Sequence, residues 1–186
     1  AVCRLYNQDR LDAVLNEVIA WRLAYAMGDP WRQLLPTAVL RKIEGLGGAL
    51  VRDRAGKNDP AAYVEAESQV MAAGFWDALI GNQDRNTRNY RYEAGPKRLA
   101  LIDHGFAFAR PGDLMNPNAA AFFAYRRRQP TGHVLMPREL SAVEALLDSG
   151  NLHGLREFLT VDRADALQAR AEKMLQSKVL PTIGAF

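Results

Sequence analysis

Apolar residues recur along the first part of the chain at two spacings, one typical of strands and one typical of helices. The opening AVCRLY is short, apolar and aromatic, which predicts a strand. Apolar side chains then recur every three or four positions, at Leu11, Val14, Leu15, Val18 and Ile19. That spacing predicts a helix over 9–27, ended by Gly28 and Pro30. Two further apolar runs, 37–43 and 48–54, predict strands joined across Gly45–Gly48.

The second part of the chain is mainly helical in pattern. Asp59 followed by Pro60 predicts the start of a helix that runs to about Ile80. NYRY and RLALI predict two strands around a turn at Glu93–Lys97, and an irregular stretch over 106–118 follows. The remaining periodic segments predict helices over 119–127, 138–148, 152–159 and 162–178. This order predicts an α+β fold in one domain over 1–186, with a small mixed lobe over about 1–55 and a mainly helical lobe over about 56–186.

Composition restricts the class of protein without naming an activity. Of 186 residues, 48% are hydrophobic and 24% charged, which predicts a packed globular core. The net charge of +3 is too small an excess to favour nucleic acid as a partner, although the isoelectric point is about 9.2. A helical DNA-binding or toxin–antitoxin partner is therefore the least favoured function.

The chain carries no pattern of a secreted or membrane-spanning protein. Its single cysteine, Cys3, cannot form an internal disulfide, which fits a reducing compartment. No apolar run reaches the roughly 18–20 residues that span a bilayer, and no basic-then-apolar leader precedes the first strand. We expect a soluble, cytoplasmic protein. The chain opens directly inside a predicted strand, as a processed fragment would.

The segment GNQDRNTRNYRYEAGPKRLALIDHGFAFA, residues 81–109, carries the candidate chemistry. Asp84 and Asn89 are five positions apart, and Asp103 follows the second strand of the predicted hairpin. Mg²⁺ prefers carboxylate and amide oxygens, and phosphoryl transfer requires a metal on the phosphates and a carboxylate facing the acceptor hydroxyl. Antiparallel pairing would bring Asn89 close to Asp103. The alternative is that Asp84 and Asp103 merely form turns.

The same segment resembles the catalytic and metal-binding motifs of the HipA-like and phosphatidylinositol-kinase-like branch of the protein-kinase-like fold. GNQDRNTRN is similar to that branch's catalytic loop, IDHG to its metal motif, and LNEVIAWRLAYAMG to the helix whose Glu partners an ATP-binding Lys. The resemblance covers about residues 1–110 and implies a kinase with ATP and Mg²⁺ as cofactors. It implies that Asp84 is catalytic, that Asn89 and Asp103 hold the metal, and that Glu17 is the helix Glu. The adenine would meet the backbone near Val51–Arg54.

The chain departs from this family pattern at the nucleotide phosphates. No Gly-rich loop precedes the first strand, and Arg4 stands where a Lys is expected. Arg4 could bind phosphate, but its planar fork does not replace an ammonium. These departures raise a second hypothesis, a non-catalytic, pseudokinase-like binding module. For an active enzyme we favour a protein Ser/Thr hydroxyl as the acceptor over a lipid head group.

Several charged residues have both a functional and a structural interpretation. Arg85 or Arg88 could neutralise the transferring phosphoryl group, or could be solvated or paired with nearby acids. Periodicity places Glu17 off the apolar stripe, which favours a solvated glutamate, whereas the resemblance places it in the cleft. His104 could orient Asp103, but a core position is favoured. The basic run YRRRQ, residues 125–129, could bind an acidic or phosphorylated partner, but a solvated helix end is favoured.

Overall fold

The computed structural model describes residues 2–5, 11–43, 46–110 and 121–181, and it confirms the predicted α+β class. The strands in these ranges are β1 Val2–Leu5, β2 Ala38–Ile43, β3 Leu46–Val51, β4 Tyr90–Glu93 and β5 Arg98–Leu101. The helices are α1 Leu11–Met27, α2 Trp31–Leu34, α3 Ala62–Glu65, α4 Glu67–Leu79, α5 Ala121–Arg128, α6 Pro137–Leu147, α7 Ser149–Arg156 and α8 Val161–Ser177. None of these helices combines the length and the apolar character needed to cross a bilayer.

The first sheet has the order β1-β3-β2, with antiparallel pairing on both sides of β3. α1 packs against this sheet through Val14 and Val18, which form an apolar cluster with Ala38, Ala49 and Val51. The first three predicted strands are all present, although β3 begins at Leu46 and thus includes part of the predicted Gly45–Gly48 connection. α1 ends at Met27 as predicted, and Gly28 follows it with a φ of 77°, a conformation that glycine adopts without strain.

The strand predicted over 48–54 ends earlier than expected, at Val51. Arg52 still donates its N–H to the carbonyl oxygen of Thr37 (2.8 Å), but the chain beyond it leaves the sheet. The side chain of Arg54 instead donates to the carbonyl oxygen of Leu35 (3.0 Å). The sequence pattern alone does not show where the chain leaves the sheet. The segment that follows β3 forms one wall of a cavity.

The helix predicted over 60–80 begins two residues later than expected, at Ala62, and is divided in two. Asp59 accepts at Oδ1 the N–H of Ala61 (3.0 Å) in the turn before α3, but no side chain caps α3 itself. Ala66 separates α3 from α4 with φ −129° and ψ 35°, outside the helical region. On the two sides of this break, Glu65 accepts from the Tyr92 hydroxyl (2.7 Å) and Glu67 from the Tyr125 hydroxyl (3.0 Å). No Gly or Pro marks the break, so the sequence pattern missed it.

The helical part is built around α4, whose residues 72–79 are all buried. Phe75, Trp76 and Leu79 are fully enclosed in the larger core cluster, together with Phe122 and Phe123 of α5. Trp76 is therefore a packing residue, and Trp31 is likewise buried. α4 leads directly into the polar loop that carries Asp84, so the loop starts from a rigid support.

Gly74 allows α4 and α5 to approach each other closely, and we expect Gly74→Ala to destabilise the fold. A Cβ at this position would lie 2.7 Å from the carbonyl oxygen of Phe122. Relieving that overlap requires a shift of one helix, and overpacking of this kind typically costs about 1–3 kcal/mol. Denaturant unfolding of the variant and the wild type measures the difference.

Gly154→Ala is the matched control, because Gly154 is an exposed glycine within α7 and a Cβ added there would have no atom within 4 Å. Alanine at an open helical position is expected to raise stability by up to about 1 kcal/mol. Equal or higher stability of Gly74→Ala relative to the wild type would show that α4 and α5 are not in close contact at this point.

The basic run 125–129 joins the C-terminal helices and is not an exposed surface. Arg126 is fully buried and forms an ion pair with Glu139, with Nη2 to Oε2 at 2.8 Å. Its other hydrogen bonds reach backbone carbonyl oxygens, those of Met71, Gly132 and Val134. Arg127 donates to two more, those of Leu180 and Pro181. The two interpretations of this run, a docking surface and a solvated helix end, are therefore wrong for Arg126 and Arg127, whereas Arg128 is exposed.

Candidate active site

The polar loop after α4 brings Asp84 and Asn89 into direct contact. Asn89 Nδ2 donates to Asp84 Oδ2 (2.9 Å) and to the Asp84 carbonyl oxygen (2.7 Å). Asn86 Nδ2 donates to the other carboxylate oxygen of Asp84 (2.7 Å). The Asp84 carboxylate is half-buried and is therefore held by two amides in one orientation. Among the described residues no donor reaches Asn89 Oδ1, which remains available as an oxygen ligand.

The hairpin β4–β5 connects this loop to Asp103. Tyr90 pairs with Leu101, and the ladder continues by one step because the Ile102 N–H donates to the Asn89 carbonyl oxygen (3.1 Å). Asp103 is the next residue along the chain, so the antiparallel pairing brings the backbones of the Asn89 and Asp103 segments together, as predicted. Asp103 has a φ of 60°, which is uncommon for a residue with a side chain and typical of functional sites.

Asp103 lies at a cavity of about 170 Å³ between the two sheets. The cavity is lined by Glu17, Val51, Arg52, Asp53, Arg54, Arg91, Ile102 and Asp103. The segment Val51–Arg54, where the family resemblance places the adenine, thus forms one of its walls. Asp84 and Asn89 are not among the described residues that line this cavity. Asn89 is joined to the lining residue Ile102 by their backbone pair and by Arg85 Nη1, which donates to both carbonyl oxygens.

Glu17 belongs to this site and is not the solvated glutamate that helical periodicity indicated. It is 3% exposed. Its Oε1 accepts the backbone N–H of His104 (3.0 Å), and its Oε2 lies 3.4 Å from His104 Nδ1. The periodicity was misleading because α1 is covered on more than one side, by the first sheet and by α2, α6 and α7. A single apolar stripe does not show which residues are buried when a helix packs between two layers and is covered on more than one face.

His104 occupies the favoured core position, and its contacts indicate its tautomer. It is buried, and its ring meets Trp76 edge-on, with ring centroids 6.5 Å apart. Arg85 Nη2 lies 3.0 Å from His104 Nε2. A guanidinium can only donate, so Nε2 accepts and the proton of the neutral ring lies on Nδ1, facing Glu17. His104 thus connects α1 to the loop that carries Asp84.

Arg85 is a structural residue that pairs with a nearby acid, the second of the two interpretations given for it. It is not placed to neutralise a phosphoryl group. It is fully buried and ion-paired with Asp77 (Nε to Oδ2, 3.0 Å). Its Nη1 donates to the carbonyl oxygens of Ile102 (2.7 Å) and Asn89. With His104 as a further partner, all five guanidinium donors are used within the protein. The catalytic role predicted for Arg85 is therefore replaced by a positioning role.

Arg4 is the one predicted site residue whose side chain lies outside the described structure. Its backbone belongs to β1 and pairs with Ala49 of β3. Arg88 is exposed on the loop, so the description of a solvated loop arginine applies to it.

Two buried residues of the site were missed in the sequence. Asp77 is fully buried within α4, and Asn82 donates from Nδ2 to Asp77 Oδ1 (2.9 Å). Asn82 also accepts at Oδ1 the N–H of Asp84 (3.2 Å). The signal for Asp77 was present: a lone carboxylate in the apolar run AAGFWDALI must be paired if it is buried, and the nearby Arg85 is its partner.

The donors present suit a hard cation that keeps some of its water. In the described ranges no three His, Cys, Asp or Glu side chains gather as a metal site. Mg²⁺ in nucleotide enzymes commonly takes one or two carboxylates together with water and phosphate oxygens. The Asp103 carboxylate with the amide oxygen of Asn89 is a donor set of that kind.

Comparison of the chain with models of known protein families and with curated proteins gave no match, so the function must be argued from the site itself.

Proposed function

We propose that this protein is an ATP- and Mg²⁺-dependent phosphotransferase with a protein-kinase-like fold, of the HipA-like or phosphatidylinositol-kinase-like type. The observation that carries the proposal is the arrangement of three residues. Asn89 holds the Asp84 carboxylate directly, and its backbone pairs with Ile102, the residue before Asp103. The order and the chemistry of these residues are those of a catalytic loop followed by a metal-binding aspartate.

Asp84 is the residue that would act on the acceptor hydroxyl. Its carboxylate is fixed by the amides of Asn86 and Asn89, so it need not reorient when a hydroxyl approaches. From that position it would accept the hydroxyl proton as the oxygen attacks the terminal phosphorus of ATP, while the bond from that phosphorus to the bridging oxygen breaks and ADP leaves. General-base assistance of this kind typically supplies about 10²–10⁴-fold in rate.

Asp103 and Asn89 would hold Mg²⁺, which when bound neutralises charge on the phosphate oxygens. Glu17 would position the metal site without touching the metal, because its carboxylate accepts the backbone N–H of His104, the residue that follows Asp103. The left-handed backbone at Asp103 is maintained between this contact and the last pair of the hairpin. The nucleotide would occupy the cavity of about 170 Å³, where Arg52, Arg54 and Arg91 supply positive charge.

The acceptor that we favour is a Ser or Thr hydroxyl of a protein, with a lipid head group as the less favoured choice. Nucleic acid is not favoured, since the overall charge is only +3.

A non-catalytic, kinase-like binding module is the second candidate, and one observation favours it. Of the described residues that line the cavity, the cationic ones are all arginines, and no lysine contributes. Glu17, which the resemblance pairs with such a lysine, contacts His104. A module of this kind would bind nucleotide and a partner protein without turnover.

Calorimetric titration with ATP and Mg²⁺ tests the nucleotide site directly, with Asp103→Asn as the variant. Asparagine tolerates the left-handed backbone at this position, so the fold is expected to be retained while one carboxylate ligand is lost. We expect the wild type to bind ATP more tightly with Mg²⁺ than without it. For Asp103→Asn, the ratio of the ATP affinity with Mg²⁺ to the ATP affinity without it should fall by about tenfold or more. A polar contact to a charged group is worth about 1.5–3 kcal/mol.

Asp165→Asn is the control, because it makes the same chemical change at an exposed position of α8. Transfer of labelled phosphate to Ser/Thr protein acceptors is measured in parallel. Mg²⁺-dependent binding without transfer would favour the binding module. If the wild type does not bind ATP with Mg²⁺, or if Asp103→Asn binds it as the wild type does, both candidates fail.

A further inference from the structure

A second cavity, of about 240 Å³, adjoins the proposed nucleotide site. It lies between the segment that leaves β3 and the β4–β5 hairpin, and is lined by Arg52, Asp53, Arg54, Ala55, Glu93, Arg98 and Ala100. It shares Arg52, Asp53 and Arg54 with the first cavity, but Glu93 and Arg98 belong to the turn end of the hairpin, opposite to the end that leads to Asp103. We refer to it as the hairpin cavity.

Three arginines from two separate elements converge on the hairpin cavity. Arg54 is held in place by its Nη2, which donates to the carbonyl oxygens of Leu35 (3.0 Å) and Gln33 (3.4 Å). Burial lowers the pKa of the Arg54 guanidinium, and the charges of Arg52 and Arg98 lower it further. Within the described chain nothing accepts a hydrogen bond from the side chain of Arg52. Like charges brought together in this way are costly unless an anion joins them.

The carboxylates in the lining compensate this charge only in part. Glu93 pairs with Arg98 (Oε2 to Nη2, 3.0 Å) across the turn end of the hairpin. Asp53 accepts at Oδ1 the backbone N–H of Arg54 (3.0 Å), which commits one of its oxygens to the local turn. Two carboxylates therefore face three guanidinium groups, and in the part of the chain that the structure describes Arg52 has no acid partner.

We propose that the hairpin cavity binds the phosphate group of a small phosphorylated molecule, held by Arg52, Arg54 and Arg98. Guanidinium groups present parallel N–H donors whose spacing matches the oxygens of a phosphate, and such charge-assisted bonds are among the stronger polar contacts. The cavity has room for a phosphate and part of the group that carries it. This site goes beyond the proposed phosphotransferase activity, because it uses none of Asp84, Asn89 or Asp103.

Titration calorimetry in magnesium-free buffer with inorganic phosphate and with glycerol 3-phosphate tests the site. We expect the wild type to bind at least one probe, and Arg98→Gln and Arg52→Gln to bind it about tenfold more weakly or worse. Glu93→Gln should bind more tightly, because it removes the carboxylate that competes for Arg98. Tighter binding of the ester would identify an organic phosphate as the ligand class, and tighter binding of the free anion would identify phosphate itself; both support the site.

Arg138→Gln is the matched control, since it removes the same charge from an exposed position of α6. Arg52 and Arg98 are exposed, so their variants should melt as the wild type does. Arg91→Gln separates this site from the nucleotide site, because Arg91 lines the nucleotide cavity and not the hairpin cavity, and it should bind the probes as the wild type does. The proposal is overturned if the wild type binds neither probe, if Arg98→Gln and Arg138→Gln bind equally, or if Arg91→Gln loses binding to the same extent as Arg98→Gln.

Discussion

Replacing Asp84 with asparagine is expected to lower the rate of phosphate transfer from ATP by about 10²–10⁴-fold, the usual contribution of a positioned general base. The substitution keeps the size of the side chain but removes its ability to accept a proton. Binding of ATP with Mg²⁺ should change much less, because in the proposed site the metal is held by Asn89 and Asp103. Single-turnover transfer of labelled phosphate, together with calorimetric binding, separates these two effects.

Asp165→Asn serves as the control for this experiment as well, since its carboxylate is exposed on α8. A melting curve for Asp84→Asn is needed because Asn86 and Asn89 both donate to the Asp84 carboxylate, and one of these donors would meet an amide N–H instead. A folded Asp84→Asn protein that transfers phosphate at the wild-type rate would exclude Asp84 as the catalytic base.

Replacing Arg85 with methionine is expected to destabilise the protein by about 3–5 kcal/mol, the typical cost of leaving one charge of a buried pair unpartnered. The Asp77 carboxylate would keep only the amide of Asn82, and the carbonyl oxygens of Asn89 and Ile102 would lose a donor. For a chain of this length a loss of that size lowers the melting temperature by roughly 6–20 °C. Thermal and denaturant unfolding measure it.

The double variant Asp77→Asn/Arg85→Met tests the physical cause of this loss. Removing the buried negative charge as well should restore at least about 1 kcal/mol relative to Arg85→Met alone. Arg156→Met is the control, because Arg156 pairs with Asp165 on an exposed surface, where ion pairs contribute about 0–1 kcal/mol. A stability of Arg85→Met within about 1 kcal/mol of the wild type would contradict the buried network.

Local patterns predicted most of the regular elements. The hairpin was predictable because Gly95 and Pro96 mark a turn between two short apolar strands, and strand pairing follows from that turn. The turn before α3 was predictable because the hydrogen bond from the Ala61 N–H to Asp59 is a local interaction, although α3 itself begins at Ala62. The break at Ala66 was not predictable, since no Gly or Pro marks it. The short α2 follows Pro30 directly, but its four residues are too few for a periodic run to be recognised.

The roles of the charged residues were the least predictable part of the candidate site. Arginine usually lies on the surface, yet Arg85 and Arg126 are both fully buried. Arg85 pairs with the buried Asp77, and Arg126 pairs with the buried Glu139. Charge is expensive to bury without a partner, so each position depends on a second residue. Asp77 lies eight positions from Arg85 and leaves a signal in its apolar run. Glu139 lies in a different helix from Arg126, and no local pattern links those two residues.

From the sequence by itself came the α+β order of elements, the hairpin after the polar loop, and the approach of the Asn89 backbone to the segment that carries Asp103. These depend on short-range spacing and on antiparallel pairing, which a linear pattern specifies. Only the tertiary structure decided that Glu17 contacts His104, that Arg85 supports the loop from within, and that Arg52, Arg54 and Arg98 share a cavity. Those outcomes depend on which layers cover α1 and on how closely the hairpin approaches the end of β3, and both are set by packing among elements far apart in the chain.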